Sequence, residues 1–116
     1  MNNTNREAAQ ALKDAGFDVD IYSFYPKDGG YLEHSKISAD NWNAYDYLIS
    51  APDFLIAADW ISKQSNGAIR IALCADHTTF YNGAFVAQMV FDDADHRNTA
   101  ILHALKELKK LKDATK

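Results

Sequence analysis

Apolar residues recur along this chain with two different periods, and each change of period marks the start of a new element. Ala8, Ala9, Ala11, Leu12 and Ala15 form one helical stripe. Thr4 and Glu7 ahead of it have the spacing of a capping box, in which a hydroxyl accepts from a first-turn N–H and a carboxylate reaches back. A helix is therefore predicted from Thr4, ending at Gly16, which can take the left-handed conformation that closes a helix. Between Asp18 and Tyr25 the period drops to two, with Val19 and Ile21 alternating against Asp20 and Tyr22, the mark of a strand. Pro26-Lys27-Asp28-Gly29-Gly30 joins a preset φ to two glycines, so Tyr31 to Ile37 is predicted to return as a partner strand.

Residues 38 to 49 hold neither period, yet they gather Trp42, Tyr45 and Tyr47 among polar neighbours. At Ser50 the capping signal recurs. Ser50 and Asp53 have capping-box spacing, and Pro52 fits a first turn, where N–H groups have no intrahelical acceptor. The helix that follows runs to about Ser65, with Phe54, Ala57, Ala58 and Ile61 on one face, Leu55, Ile56 and Trp60 widening it, and Asn66-Gly67 as its stop. Ala68 to Ala75 and Ala84 to Phe91 are apolar runs of strand length, joined through Asn82-Gly83, and are predicted to pair as a hairpin. In the second run Phe85, Ala87, Met89 and Phe91 form the better core face. Asp92, Asp93 and Asp95 favour a helix N-terminus electrostatically, and Ile101, Ala104, Leu105, Leu108 and Leu111 give the last helix, 95 to 113, its stripe.

The order is thus helix, two strands, helix, two strands, helix: an α+β fold with antiparallel hairpins and helices packed on the sheet. The two hairpins could share one four-stranded sheet. At 116 residues the chain has the length of one ordinary domain, and with 47 % apolar residues and fourteen aromatics it can bury a core. One domain over residues 1–116 is expected.

Charge changes the picture only by exclusion. The formal charge is −4, and residues 1 to 50 carry eight acids against four Lys/Arg. A general nucleic-acid binder needs a net basic face to release counterions from phosphates, so this balance argues against one. Cys74 is the single cysteine, which excludes an internal disulfide and suits a reducing compartment. No apolar run reaches the roughly 18 residues of a membrane span, and Met1 to Arg6 is polar where a signal peptide turns apolar. A cytoplasmic protein with no membrane association is expected.

Candidate chemistry is sparse. Cys74, Asp76 and His77 are the one close set that suggests a thiol nucleophile with its base, or soft metal ligands. Cys74 sits within an apolar strand pattern, where a free cysteine usually acts as a small hydrophobe. Asp92, Asp93, Asp95 and His96 offer hard ligands for a divalent cation, but their spacing is not that of an EF-hand, and helix capping accounts for them. Asp28-Gly29-Gly30 is not followed by the Gly-Lys-Ser/Thr of a phosphate loop, and no cofactor is expected. Lys106, Lys109, Lys110 and Lys112 are the one basic surface, which could contact nucleic acid or another acidic partner but is a pattern more typical of a solvated helix face. Trp42, Tyr45 and Tyr47 carry the strongest signal, because Trp and Tyr supply rigid contact area with a polar handle and are enriched at binding hot spots. Packing over the core is the alternative for these three.

The run Leu12-Lys13-Asp14-Ala15-Gly16-Phe17-Asp18, then Ser23-Phe24-Tyr25 before Asp28-Gly29-Gly30, Ser50-Ala51-Pro52, and Ala58-Asp59-Trp60-Ile61 resembles a group of short uncharacterised proteins of gut Bacteroidetes and their phages. In that group a K-x-x-G-F segment opens the protein, a helix capped by S-A-P bears W-[IL], two strands follow, and an amphipathic helix closes. Asn98 to Leu108 stands in the place of that closing helix. The segment 35 to 49 is richer in aromatics than the group's pattern, and Asp-His-Arg opens the last helix where Tyr-Glu-Glu-Ala is typical. The resemblance implies a phage or mobile-element protein without an assigned active site. The function expected is therefore non-enzymatic, acting by binding a host or phage protein through Trp42, Tyr45 and Tyr47. The alternative is a small hydrolase or metal-dependent enzyme using Cys74/Asp76/His77 or Asp92/Asp93/Asp95/His96.

Overall fold

Among the described residues the protein has three α-helices and two three-stranded antiparallel sheets, an α+β architecture. The structure is a computed structural model and describes residues 3 to 83 and 87 to 114. The chain divides into two compact units, Met1–Asp53 and Phe54–Lys116. The boundary lies at the end of the Ser50-Ala51-Pro52-Asp53 segment.

The first unit begins with α1 (Arg6–Asp14), whose Ala8, Ala9 and Leu12 are fully buried, as the alanine stripe requires. The cap differs from the sequence expectation by one residue. Asn5, not Thr4, is the N-cap, and its side chain accepts from the Ala8 N–H. Thr4 is instead buried, with its N–H and its hydroxyl both donating to the Pro52 carbonyl. At the other end Gly16 takes φ +96°, which lets the Phe17 N–H reach back to the Leu12 carbonyl and turns the Phe17 ring into the core.

Strand β1 (Ser23–Pro26) is the centre of a sheet ordered β2-β1-β3, with β2 (Glu33–His34) on one side and β3 (Leu48–Ser50) on the other. The strand expected over Asp18 to Tyr25 is therefore shorter and later. Its start is replaced by an isolated bridge between Ile21 and Asp40, so Asp18 to Asp20 lie outside the ladder. The return strand expected over Tyr31 to Ile37 contracts to two residues. Ser50, read as a helix cap, is the buried last residue of β3, paired with Phe24.

In the second unit, α2 (Phe54–Gln64) buries Phe54, Ala57, Ala58, Trp60 and Ile61, and packs on β4 (Ile69–Leu73) and on α3 (His96–Ala114). Asn66 and Gly67 both have positive φ, which closes α2 through the Gly67 N–H bond to Ser62. The expected hairpin is a meander. A further strand β5 (Thr78–Asn82) lies between β4 and β6 (Ala87–Phe91), in the order β4-β5-β6. Thr78, Thr79 and Phe80 are buried there, so a segment that reads as a polar connection is the sheet's central strand. The strands form two separate three-stranded sheets rather than one of four. Residues 84 to 86, the start of the predicted second strand, and the Phe85 position lie outside the described residues. Phe91 meets α3 through His103, in keeping with its expected core face, whereas Met89 is largely exposed.

Candidate functional site

A row of four rings, Phe24, Trp42, Tyr45 and Tyr47, crosses the first unit. Its centroid separations are 4.7 Å from Phe24 to Trp42, 6.4 Å to Tyr45 and 5.9 Å on to Tyr47, and every pair is tilted rather than stacked flat. Exposure rises along the row. Phe24 and Trp42 are half-buried, while Tyr45 is 39 % and Tyr47 64 % exposed.

The segment that carries them, without periodicity in the sequence, is held by side-chain to backbone bonds. Trp42 begins a single 3-10 turn (Trp42–Ala44) capped by the Asn41 side chain, and its indole Nε1 donates to the Ile21 carbonyl at 2.7 Å. Asn43 ties the turn inward, its Nδ2 donating to Phe17 O at 3.0 Å and its Oδ1 accepting from Ser50 N at 2.8 Å. From α1 the Lys13 ammonium donates to the carbonyls of Tyr45 and Leu48. Tyr45 itself donates its hydroxyl to Asp40 Oδ2 at 2.9 Å. That hydrogen bond, with the charge of the Asp40 carboxylate behind it, raises the Tyr45 phenol above its ordinary pKa. The sequence signalled the three aromatics but not these anchors, since Lys13, Asn43 and Phe24 lie on other elements or read as ordinary loop polarity.

The Cys74 set is assembled differently from its strand reading. Cys74 lies beyond the end of β4 in the turn to β5 and is exposed, so it is not a core hydrophobe. Its backbone N–H closes the turn on the His77 carbonyl, and Arg97 donates to the Cys74 carbonyl at 3.2 Å. His77 Nδ1 lies 2.6 Å from Asp76 Oδ1, and this hydrogen bond is the main reason the Asp76 carboxyl sits below its ordinary pKa.

Of the acids before α3, Asp92 is exposed, while Asp93 and Asp95 are occupied in its first turn. Asp95 Oδ1 accepts from Asn98, Asp93 Oδ2 accepts from the Thr99 hydroxyl, and Thr99 N–H bonds to the Asp95 carbonyl. His96 turns away from them, its Nδ1 sharing a 2.8 Å bond with the buried Thr78 hydroxyl. Among the described residues no group of three or more His, Cys, Asp or Glu is placed to hold a metal ion. A second hydroxyl and imidazole pair, Ser23 Oγ and His34 Nδ1 at 2.6 Å, bridges β1 and β2 at a directly paired position. Neither pair was legible in the sequence, because 11 residues separate one and 18 the other.

Of the terminal lysines, Lys106, Lys109 and Lys110 are exposed, with Lys110 near Glu107, while Lys112 donates to Gln64 and lies 6.0 Å from the Trp60 centroid. Among the described residues no helix is long and apolar enough to cross a membrane. Comparison of the chain with protein families, with curated proteins and with solved structures finds no match.

Proposed function

We propose that the protein is a non-enzymatic binding protein that recognises another protein through Trp42, Tyr45 and Tyr47. The observation that carries this reading is the graded row of rings: its inner end is bonded to the fold through the Trp42 indole, and its outer end presents two tyrosines to solvent. Rigid, pre-positioned aromatics lose little side-chain entropy on binding, the property that makes such residues hot spots. The motif resemblance to short proteins of gut Bacteroidetes and their phages supplies the setting, a cytoplasmic phage or mobile-element accessory protein whose partner is a host or phage protein.

The test is comparative capture from lysates of several candidate hosts, using the wild type and the Tyr45→Ala/Tyr47→Ala variant at physiological salt. A protein retained by the first and absent from the second supports the reading. Identical sets of retained proteins contradict it.

The exposed Cys74 beside the Asp76 and His77 pair favours one rival reading, a small thiol hydrolase. Rapid labelling of native Cys74 by a thiol probe at neutral pH would support that reading, whereas a rate no faster than a free peptide thiol removes it.

A further inference from the structure

We propose that the surface made by Tyr45, Asp46 and Tyr47 takes an arginine side chain of a cationic segment, the guanidinium lying against the tyrosine faces beside the carboxylates of Asp40 and Asp46. This deepens the reading of the rings as a partner-binding surface and rests on it.

Three observations define the chemistry of the occupant. Tyr45 and Tyr47 are 5.9 Å apart and inclined by 51°, so their faces are not closed on each other, and both rings are exposed. Ring faces are the negative part of the aromatic quadrupole and attract cations. Elsewhere this protein places cations over rings: Arg6 over Tyr25, Arg70 over Tyr81, Arg97 over Phe54 and Lys112 over Trp60. Among the described residues no cation lies over Tyr45 or Tyr47.

The charges around the two rings point the same way. Asp40 holds the Tyr45 hydroxyl, which fixes a ring that is still 39 % exposed, and Asp46, between the two tyrosines in sequence, is exposed as well. The nearest cation of α1, Lys13, is engaged with the carbonyls of Tyr45 and Leu48. Lys27, the residue after β1, flanks Tyr47 through its backbone N–H bond to the Tyr47 carbonyl, and its exposed side chain adds a positive charge on that side. Eight acids against four Lys/Arg over residues 1 to 50 extend the negative field beyond the loop. An acidic partner would be repelled by Asp40 and Asp46. Arginine is favoured over lysine because its planar group can stack on a ring and pair with a carboxylate at the same time.

Blocked hexa-arginine, hexa-lysine and hexa-glutamate peptides, titrated into the 116-residue protein at about 0.15 M salt and followed by NMR, test this proposal. Hexa-arginine is expected to shift the ring signals of Tyr45 and Tyr47 saturably and more tightly than hexa-lysine, with no response to hexa-glutamate. Tyr45→Ala/Tyr47→Ala should weaken hexa-arginine roughly tenfold or more, Tyr45→Phe/Tyr47→Phe should retain it, and Asp46→Asn should weaken it by roughly threefold. Equal affinity of the alanine variant, a response to hexa-glutamate, or shifts spread over Glu7, Asp14 and Asp18 would overturn the inference. Should capture of a protein depend on Tyr45 and Tyr47 while hexa-arginine leaves their rings unmoved, the binding reading stands and the cationic occupant falls. Should neither occur, both fall.

Discussion

Truncating Trp42 should cost far more stability than truncating the two tyrosines, because the row of rings is half-buried at one end and exposed at the other. Trp42→Ala removes the 2.7 Å indole bond to Ile21 O and the ring contact with Phe24 at 4.7 Å, together with the apolar area of a half-buried indole. A net hydrogen bond contributes about 1 kcal/mol, an aromatic pair about 1, and partial burial of the ring about 1 more, so a loss of about 3 kcal/mol is expected. The Ile21 carbonyl keeps the Asp40 N–H as its donor, so no orphaned acceptor adds to that figure. Tyr45→Ala/Tyr47→Ala removes two exposed rings, the contact of one of them with Trp42, and the bond to Asp40, for a loss below about 1 kcal/mol. Trp42 lies in the first unit and Trp60 in the second, which divides the assay. Urea unfolding followed by fluorescence suits the tyrosine variant, and circular dichroism follows the variant that has lost Trp42. A loss of about 3 kcal/mol in both variants would refute the reasoning and make the outer rings part of the packing. A negligible loss in Trp42→Ala would refute the anchor.

Other residues give independent checks. Arg6 donates to Pro26 O at 2.6 Å and Gly30 O at 2.8 Å and lies over the Tyr25 ring, so Arg6→Ala should cost about 2 kcal/mol in urea unfolding, with Arg6→Lys a poor substitute for its fork of donors. Asn43→Ala, which removes the bonds to Ser50 N and Phe17 O, should cost about 2 kcal/mol by the same measurement. The lowered Asp76 pKa stabilises the native state above the unfolded carboxylate value and is lost as pH falls through the lower, folded value. Followed by NMR, the Asp76 midpoint should therefore rise in His77→Gln. An Asp40→Asn change should let the Tyr45 phenol ionise at lower pH, read by ultraviolet absorbance.

The helices were legible because their signals are local. Stripes such as Ala8, Ala9 and Leu12, and stops such as Asn66-Gly67, depend on neighbours within one or two turns. Caps were less legible, since Thr4 and Asn5 both suit an N-cap and the choice was made by the Pro52 carbonyl, 48 residues from Thr4. Strands failed where pairing overrode composition. Thr78-Thr79 is polar in the sequence, yet the ladders of β4 and β6 on either side make it interior. The tyrosines and Trp42 stood out by type alone, but which of them faces solvent is decided by Ile21, Lys13 and Asn43, whose approach is tertiary.

Laser-polarised NMR of tyrosine and tryptophan side chains, on the protein alone and then saturated with the partner obtained by comparative capture, tests the central claim most directly. Tyr45 and Tyr47 should give strong signals in the free protein and lose them in the complex, while Tyr31, 91 % exposed and outside the row, stays bright throughout. Tyr45 and Tyr47 signals that remain undiminished in the complex would contradict the account.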